Sequence, residues 1–126
     1  MTIESEFYTW NVQATEAIGA DKLFKVASIV GTVAAGSPLA IGIIRGTGAV
    51  GAQIPVVFKG ITKAVVGGAV TTPGYPLSVA ATSGFLVAAA SGGTHFGRYL
   101  GTAAAASGDL VPVMVDFTHK TAWAGD

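Results

Sequence analysis

The sequence predicts a small all-β domain: a β-barrel or sandwich built from two related halves, with an extended N-terminal arm. Three observations carry that prediction. Short runs of β-branched, aromatic and aliphatic residues recur from Val70 to Phe117, and Gly, Pro, Ser and Thr punctuate the gaps at roughly 8–12-residue spacing. The same grammar occurs upstream, where Gly36-Ser-Pro-Leu-Ala-Ile41 matches Gly74-Tyr-Pro-Leu-Ser-Val79 and Ile54-Pro-Val-Val-Phe58 matches Val111-Pro-Val-Met-Val115. Helical grammar is weak throughout. The alanine run between Gly101 and Gly108 favours a helix by propensity, but it is too short to sustain one alone.

In chain order, residues 1–22 form the arm, with one helical turn near Thr15–Gly19 and three clustered aromatics, Phe7, Tyr8 and Trp10. These rings have two readings. They pack into the domain's own core as an ordinary first strand, or they dock on a neighbouring subunit, since aromatic anchors dominate interface energetics. The β-domain spans 23–118. Leu23–Val33 alternates as a strand, Val33–Pro38 turns, and Leu39–Arg45 is a continuous apolar strand. After the Gly46–Gly51 loop, Ile54–Phe58 and Gly60–Val66 read as a strand pair joined at Lys59 and Gly60, and Gly67-Gly68 closes the first half.

In the second half, Tyr75–Ala81 and Phe85–Ala90 form a hairpin, Ser91–Thr94 a loop, and Phe96–Leu100 a short strand. Leu110–Thr118 is the last strand, and Pro112 assigns it to an edge or a bulge. Residues 119–126 are a tail carrying Trp123.

The 126 residues bound this to one domain with enough chain for an unstapled core. There are no cysteines. Seven basic and seven acidic residues cancel, so the basic footprint of a nucleic-acid binder is missing. Ala and Gly make up almost a third of the chain, a composition that fills little core volume and leaves apolar surface for a partner or an assembly. The first ten residues are acidic and polar, unlike a secretory signal. Val26–Ile44 is long enough and uncharged enough to span a bilayer, and Ala64–Gly97 is longer still. Both are broken by Gly and Pro, which argues against a membrane helix.

Chemistry-bearing motifs are sparse. Gly46-Thr-Gly-Ala-Val-Gly51 has the spacing of a dinucleotide fingerprint, yet Pro55 and a strand pattern follow where a helix is needed. His95 and His119 are the only histidines, too few for zinc without cysteines, and both read as surface imidazoles. Asp109 reads as a turn residue and Asp116 as a solvent-facing strand residue, so no carboxylate pair is set up for acid–base work. No Gly-x-Ser-x-Gly elbow is present. The expectation is a non-enzyme without cofactor or metal.

From about Val33 to Phe117 the chain resembles phage capsid cement (head decoration) proteins of the small all-β type. The residues that carry the likeness are Ala34-Ala-Gly-Ser-Pro-Leu39, Gly60-Ile-Thr-Lys-Ala-Val-Val66, Val70-Thr-Thr-Pro-Gly-Tyr-Pro-Leu77, Ser83-Gly-Phe-Leu-Val-Ala88 and the ending Phe96–Val113. The aromatic arm departs from that pattern. The resemblance implies a virion protein on the outer surface of an assembled capsid. It would bind the major capsid protein, often as a homotrimer, and brace the shell, with no nucleic acid, membrane or small-molecule substrate involved. Phe7, Tyr8, Trp10 and Trp123 are then the candidates for the capsid or inter-subunit interface, and deleting residues 1–14 is expected to weaken shell binding while the β-domain stays folded. The alternatives are a glycan- or ligand-binding β-module of a virion appendage and a small membrane-associated protein.

Overall fold

The computed structural model describes residues 7–34, 40–80, 84–89, 94–117 and 121–122. Among them the chain is almost entirely strand, with a single 3-10 turn at Ala20–Lys22. The strands are β1 (Phe7–Gln13), β2 (Val26–Ser28), β3 (Ala40–Ile44), β4 (Gln53–Val65), β5 (Pro76–Val79), β6 (Leu86–Ala88), β7 (Thr94–His95), β8 (Gly97–Tyr99), β9 (Leu110–Asp116) and β10 (Thr121–Ala122). Eight of them build one antiparallel sheet in the order β2-β3-β4-β9-β8-β5-β6, and β1 also pairs with β4. β7 and β10 form a small second sheet.

The large sheet curls into a nearly closed barrel. Its two ends meet through backbone contacts: the Val26 amide, on β2, donates to the Gly84 carbonyl just ahead of β6 at 2.7 Å, and Val66, just past β4, bridges to Leu86. The all-β expectation is met, and so is the β5–β6 hairpin, paired Leu77↔Ala88 to Val79↔Leu86.

Two clusters fill the molecule. The main core holds Val26, Ile43, Val57, Val66, Leu77, Leu86, Tyr99, Val111, Val113 and Val115 among others. A second cluster gathers Val12, Ala14, Ile18, Ala27, Ile44, Ile54 and Val56. Each large aliphatic side chain buried this way contributes about 1.5–3 kcal/mol. Ile43 and Ile44 are neighbours on β3, as Val56 and Val57 are on β4, yet each pair divides between the two clusters. Strand side chains alternate between faces, so here the sheet is apolar on both sides and buried on both.

Several expectations change. The expected arm of residues 1–22 is not a free one: where it is described, Phe7–Gln13 lies antiparallel along β4, and Val12, Ala14 and Ile18 share a core with later strands. Leu23–Val33 is not one strand. Phe24 adopts φ +63 and Gly31 φ +85, leaving only the three residues of β2 between turns. The turn expected at Lys59-Gly60 is absent too, because β4 runs unbroken for 13 residues. Gly60 has φ +122 inside the strand, and the β1–β4 register skips Phe58 (Thr9↔Val57, then Tyr8↔Lys59). A bulge re-aims side chains. Accordingly Val57 faces the main core before the irregularity, and Ala64 and buried Thr62 lie on its barrel side after it.

Pro112 is likewise not on an edge strand, since β9 pairs with both β4 and β8. It fits because its carbonyl accepts from the Leu100 amide at 3.0 Å, just past the end of β8. In an antiparallel ladder a residue's N–H and C=O point to the same neighbour, so the donor that proline lacks falls where β8 has stopped. Pro55 repeats the arrangement, accepting from the Arg45 amide at 2.9 Å just past β3.

That parallel extends across four strands. Ile43↔Val57 and Ile44↔Val56 in β3–β4 correspond to Arg98↔Met114 and Tyr99↔Val113 in β8–β9, each at the same offset from its proline. β2 flanks β3 (Val26↔Ile43) as β5 flanks β8 (Pro76↔Arg98). β1 flanks β4 (Asn11↔Pro55, Trp10↔Val56) as the second part of β4 flanks β9 (Lys63↔Pro112, Thr62↔Val113). Even the close approaches match. A Cβ on Gly42 would lie 2.6 Å from the Val57 carbonyl oxygen, and one on Gly97 2.5 Å from that of Met114. The two halves are therefore the same four-stranded unit, and β4 belongs to both. The sequence match of Ile54–Phe58 with Val111–Val115 coincides with this register. The match of Gly36–Ile41 with Gly74–Val79 does not: residues 35–39 lie outside the described residues, and the counterpart of β3 is β8.

Candidate interaction surface

The β1–β4 bulge decides what happens to the N-terminal aromatics. Tyr8 and Trp10 fall on the same face of β1 as buried Val12, but the second cluster ends before reaching them, so they stand 61% and 52% exposed. Phe58, the residue skipped in the register, stacks on Tyr8 with ring centroids 6.1 Å apart. The Phe117 amide donates to the Phe58 carbonyl at 2.8 Å, which brings a fourth ring alongside. Phe117 in turn stacks on core residue Phe96 at 4.8 Å, tying the patch to the barrel interior. Trp10, Ile41, Phe58 and Phe117 line an open apolar cleft of about 240 Å³.

Of the four residues expected at an interface, Tyr8 and Trp10 thus reach one exposed aromatic patch. Phe7 opens β1 opposite Gly60. Trp123 lies outside the described residues. The sequence reading missed Ile41, Phe58 and Phe117, which join the patch only through pairings of distant strands. Phe58 left one trace in the sequence, as the only aromatic between residues 30 and 70.

A second apolar area occupies the outer face of β8 and β9, where Leu100, Leu110 and Met114 are 38%, 47% and 44% exposed. Beside it a cleft of about 320 Å³ is lined by Lys59, His95, Phe96, Arg98, Met114 and Asp116 among others. His95 is half-buried on β7, and its Nδ1 has no hydrogen-bond partner, so the surface-imidazole reading does not hold for it. Arg98 donates to the Gly74 carbonyl at 3.0 Å.

The remaining motifs fall into structural places. Gly46–Gly51 connects β3 to β4, and no helix follows it. Asp109 accepts from the Ala106 amide at 2.9 Å as a turn residue. No group of three or more His, Cys, Asp or Glu among the described residues could hold a metal ion. No helix there is long and apolar enough to cross a membrane, and Val26–Ile44 is occupied by β2, a turn and β3 where it is described.

With this geometry in hand, the fold has a solved counterpart. It is similar to the head fiber gp8.5 N base in bacteriophage phi29, with a TM-score of 0.60 at 16% sequence identity, covering 88% of this chain and 95% of that one. At that identity the likeness is one of fold. No protein-family model and no curated protein matches the sequence.

Proposed function

We propose that this chain is a structural protein of a bacteriophage virion, carried on the outer surface of the assembled head, where it binds the major capsid protein and stabilises the shell without catalysing a reaction. The observation that carries this reading is the fold shared with a phage head fiber base over almost the whole chain. The sequence resemblance to capsid cement proteins points the same way independently. A rigid barrel with two separate apolar patches suits a protein that must touch the shell and its own copies at once. Binding only the assembled shell stabilises it by mass action, and many copies make a weak single contact effective. In a homotrimer, the outer face of β8 and β9 would be where copies meet.

Electron cryomicroscopy of particles made with and without this chain tests the reading. Extra density outside the shell, and DNA release at a lower temperature when the chain is missing, are the expected results. Density inside the shell, or particles that never contain the chain, would overturn it. One observation favours a second reading, a sugar-binding module of a virion appendage: the cleft beside Trp10 is concave and aromatic-lined. Glycan-array binding that Trp10→Ala abolishes would establish that alternative.

A further inference from the structure

β1 is an edge strand without the usual protection. Natural sheets blunt exposed edges with charges, prolines or bulges on the edge strand itself. Phe7-Tyr-Thr-Trp-Asn-Val-Gln13 contains no charged residue, no proline and no glycine, and the skipped residue of the bulge is on β4. Among the described residues, its one ladder partner is β4.

The direction of its backbone groups follows from its continuation. The Ala14 amide donates to the Ala52 carbonyl at 2.8 Å, on the β4 side, and the Thr15 amide donates to Gly31 at 3.0 Å, on the other side. Alternation then turns the N–H and C=O of Phe7, Thr9, Asn11 and Gln13 away from β4. Gly31 closes the far end: a Cβ built on it would lie 2.2 Å from the Gln13 carbonyl oxygen. Among the described residues nothing else pairs with the stretch Phe7–Asn11 on that side, and its centre is Thr9.

We propose that this edge pairs with the same edge of a second copy of the chain, antiparallel and about a two-fold axis at Thr9. A two-fold interface requires a self-complementary surface, and this one qualifies. Thr9 would face Thr9 of the second copy, and Phe7 would face Asn11, each exchanging backbone hydrogen bonds. In the positions between, Tyr8 would stand opposite Trp10 of the second copy, twice, at the closer spacing of a non-hydrogen-bonded pair. The two half-exposed aromatics thereby cover each other. No residue of β1 brings a like charge into the joint, and formally neutral chains do not repel at a distance. A two-fold contact cannot close a ring of three, so this contact is separate from the β8–β9 contact of the proposed trimer and would join one cluster to the next. It does not depend on the head-surface reading.

The chain has no cysteine, so Thr9→Cys introduces a single thiol. A short thiol–thiol cross-linker is expected to give covalent pairs of Thr9→Cys chains in solution. The control Lys63→Cys, at the exposed position of the second half that corresponds to Asn11, is expected to give none. In the unmodified chain, hydrogen exchange at the Thr9 and Asn11 amides should slow as protein concentration rises. Thr9→Cys chains that pair no more than the control, or exchange at these amides that ignores concentration, would overturn the proposal. Neither measurement involves a capsid, so failure here leaves the head-surface reading intact, and failure of that reading leaves the pairing to be judged by itself.

Discussion

The two halves share strand order, register, a proline and a tight glycine, yet they bury different amounts of themselves. In the first, both faces are covered: Ile43 and Val57 enter the main core, Ile44 and Val56 the second cluster. In the second, Tyr99 and Val113 enter the main core, while Arg98 and Met114, the counterparts of Ile43 and Val57, stay exposed. The difference has two parts. The face of Ile43 and Val57 turns into the main core whereas the equivalent face of Arg98 and Met114 turns outward, and only the first half has its outer face covered. Residues 14–27 cross the outer face of the first half and bring Ala14, Ile18 and Ala27 onto it. Nothing among the described residues does this for Met114. Register alone therefore does not say whether a strand position is core or surface; which face turns inward, and what covers the outer one, does.

This contrast can be broken most forcefully by removing residues 1–14. Val12 and Ala14 go with the whole β1 ladder, so a loss of roughly 5 kcal/mol or more is expected, counting about 2 kcal/mol for Val12 and about 1 for each backbone hydrogen bond. Thermal unfolding by circular dichroism should show a much lower midpoint or no cooperative transition. The sequence-based expectation is that the β-domain survives this deletion; the burial of Val12 and Ala14 in the second cluster makes loss of folding the outcome expected from the structure.

Next come the paired glycines. Gly42→Ala and Gly97→Ala each push a methyl group against a backbone carbonyl, and each should cost about 2–4 kcal/mol in urea unfolding, somewhat beyond ordinary overpacking. Similar costs would support the equivalence of the halves, and a near-neutral result at either site would break it. Smallest and most discriminating is the pair Val57→Ala and Met114→Ala. These positions are equivalent in register, but the first should lose about 2 kcal/mol and the second less than about 0.5. Equal losses would mean that something covers Met114.

Much of the fold was legible because it rests on local rules. Apolar runs between Gly and Pro located β3, the β5–β6 hairpin and β9. The same rules failed where a residue has two possible meanings. From the sequence Gly60 reads as a turn, but in a strand it marks an irregularity, and only the pairing of β4 with β1 and β9 tells the two apart. Pro112 reads as a signal of an edge or a bulge, but β9 is paired regularly on both sides, and a missing donor is harmless wherever a short neighbour has ended. The aromatic patch was half legible. Tyr8 and Trp10 stood out as a cluster, while Phe58 and Phe117 joined them through contacts between segments far apart in the chain.

The partnership of β1 with β4 also has a consequence in time. Tyr8 waits for Lys59, so during synthesis β1 must stay unpaired until some fifty further residues have followed. Pairings of such separation form slowly, and an uncharged aromatic strand left waiting can be captured by a neighbouring nascent chain. Yield from a heterologous host should thus depend on how fast translation runs between those two points.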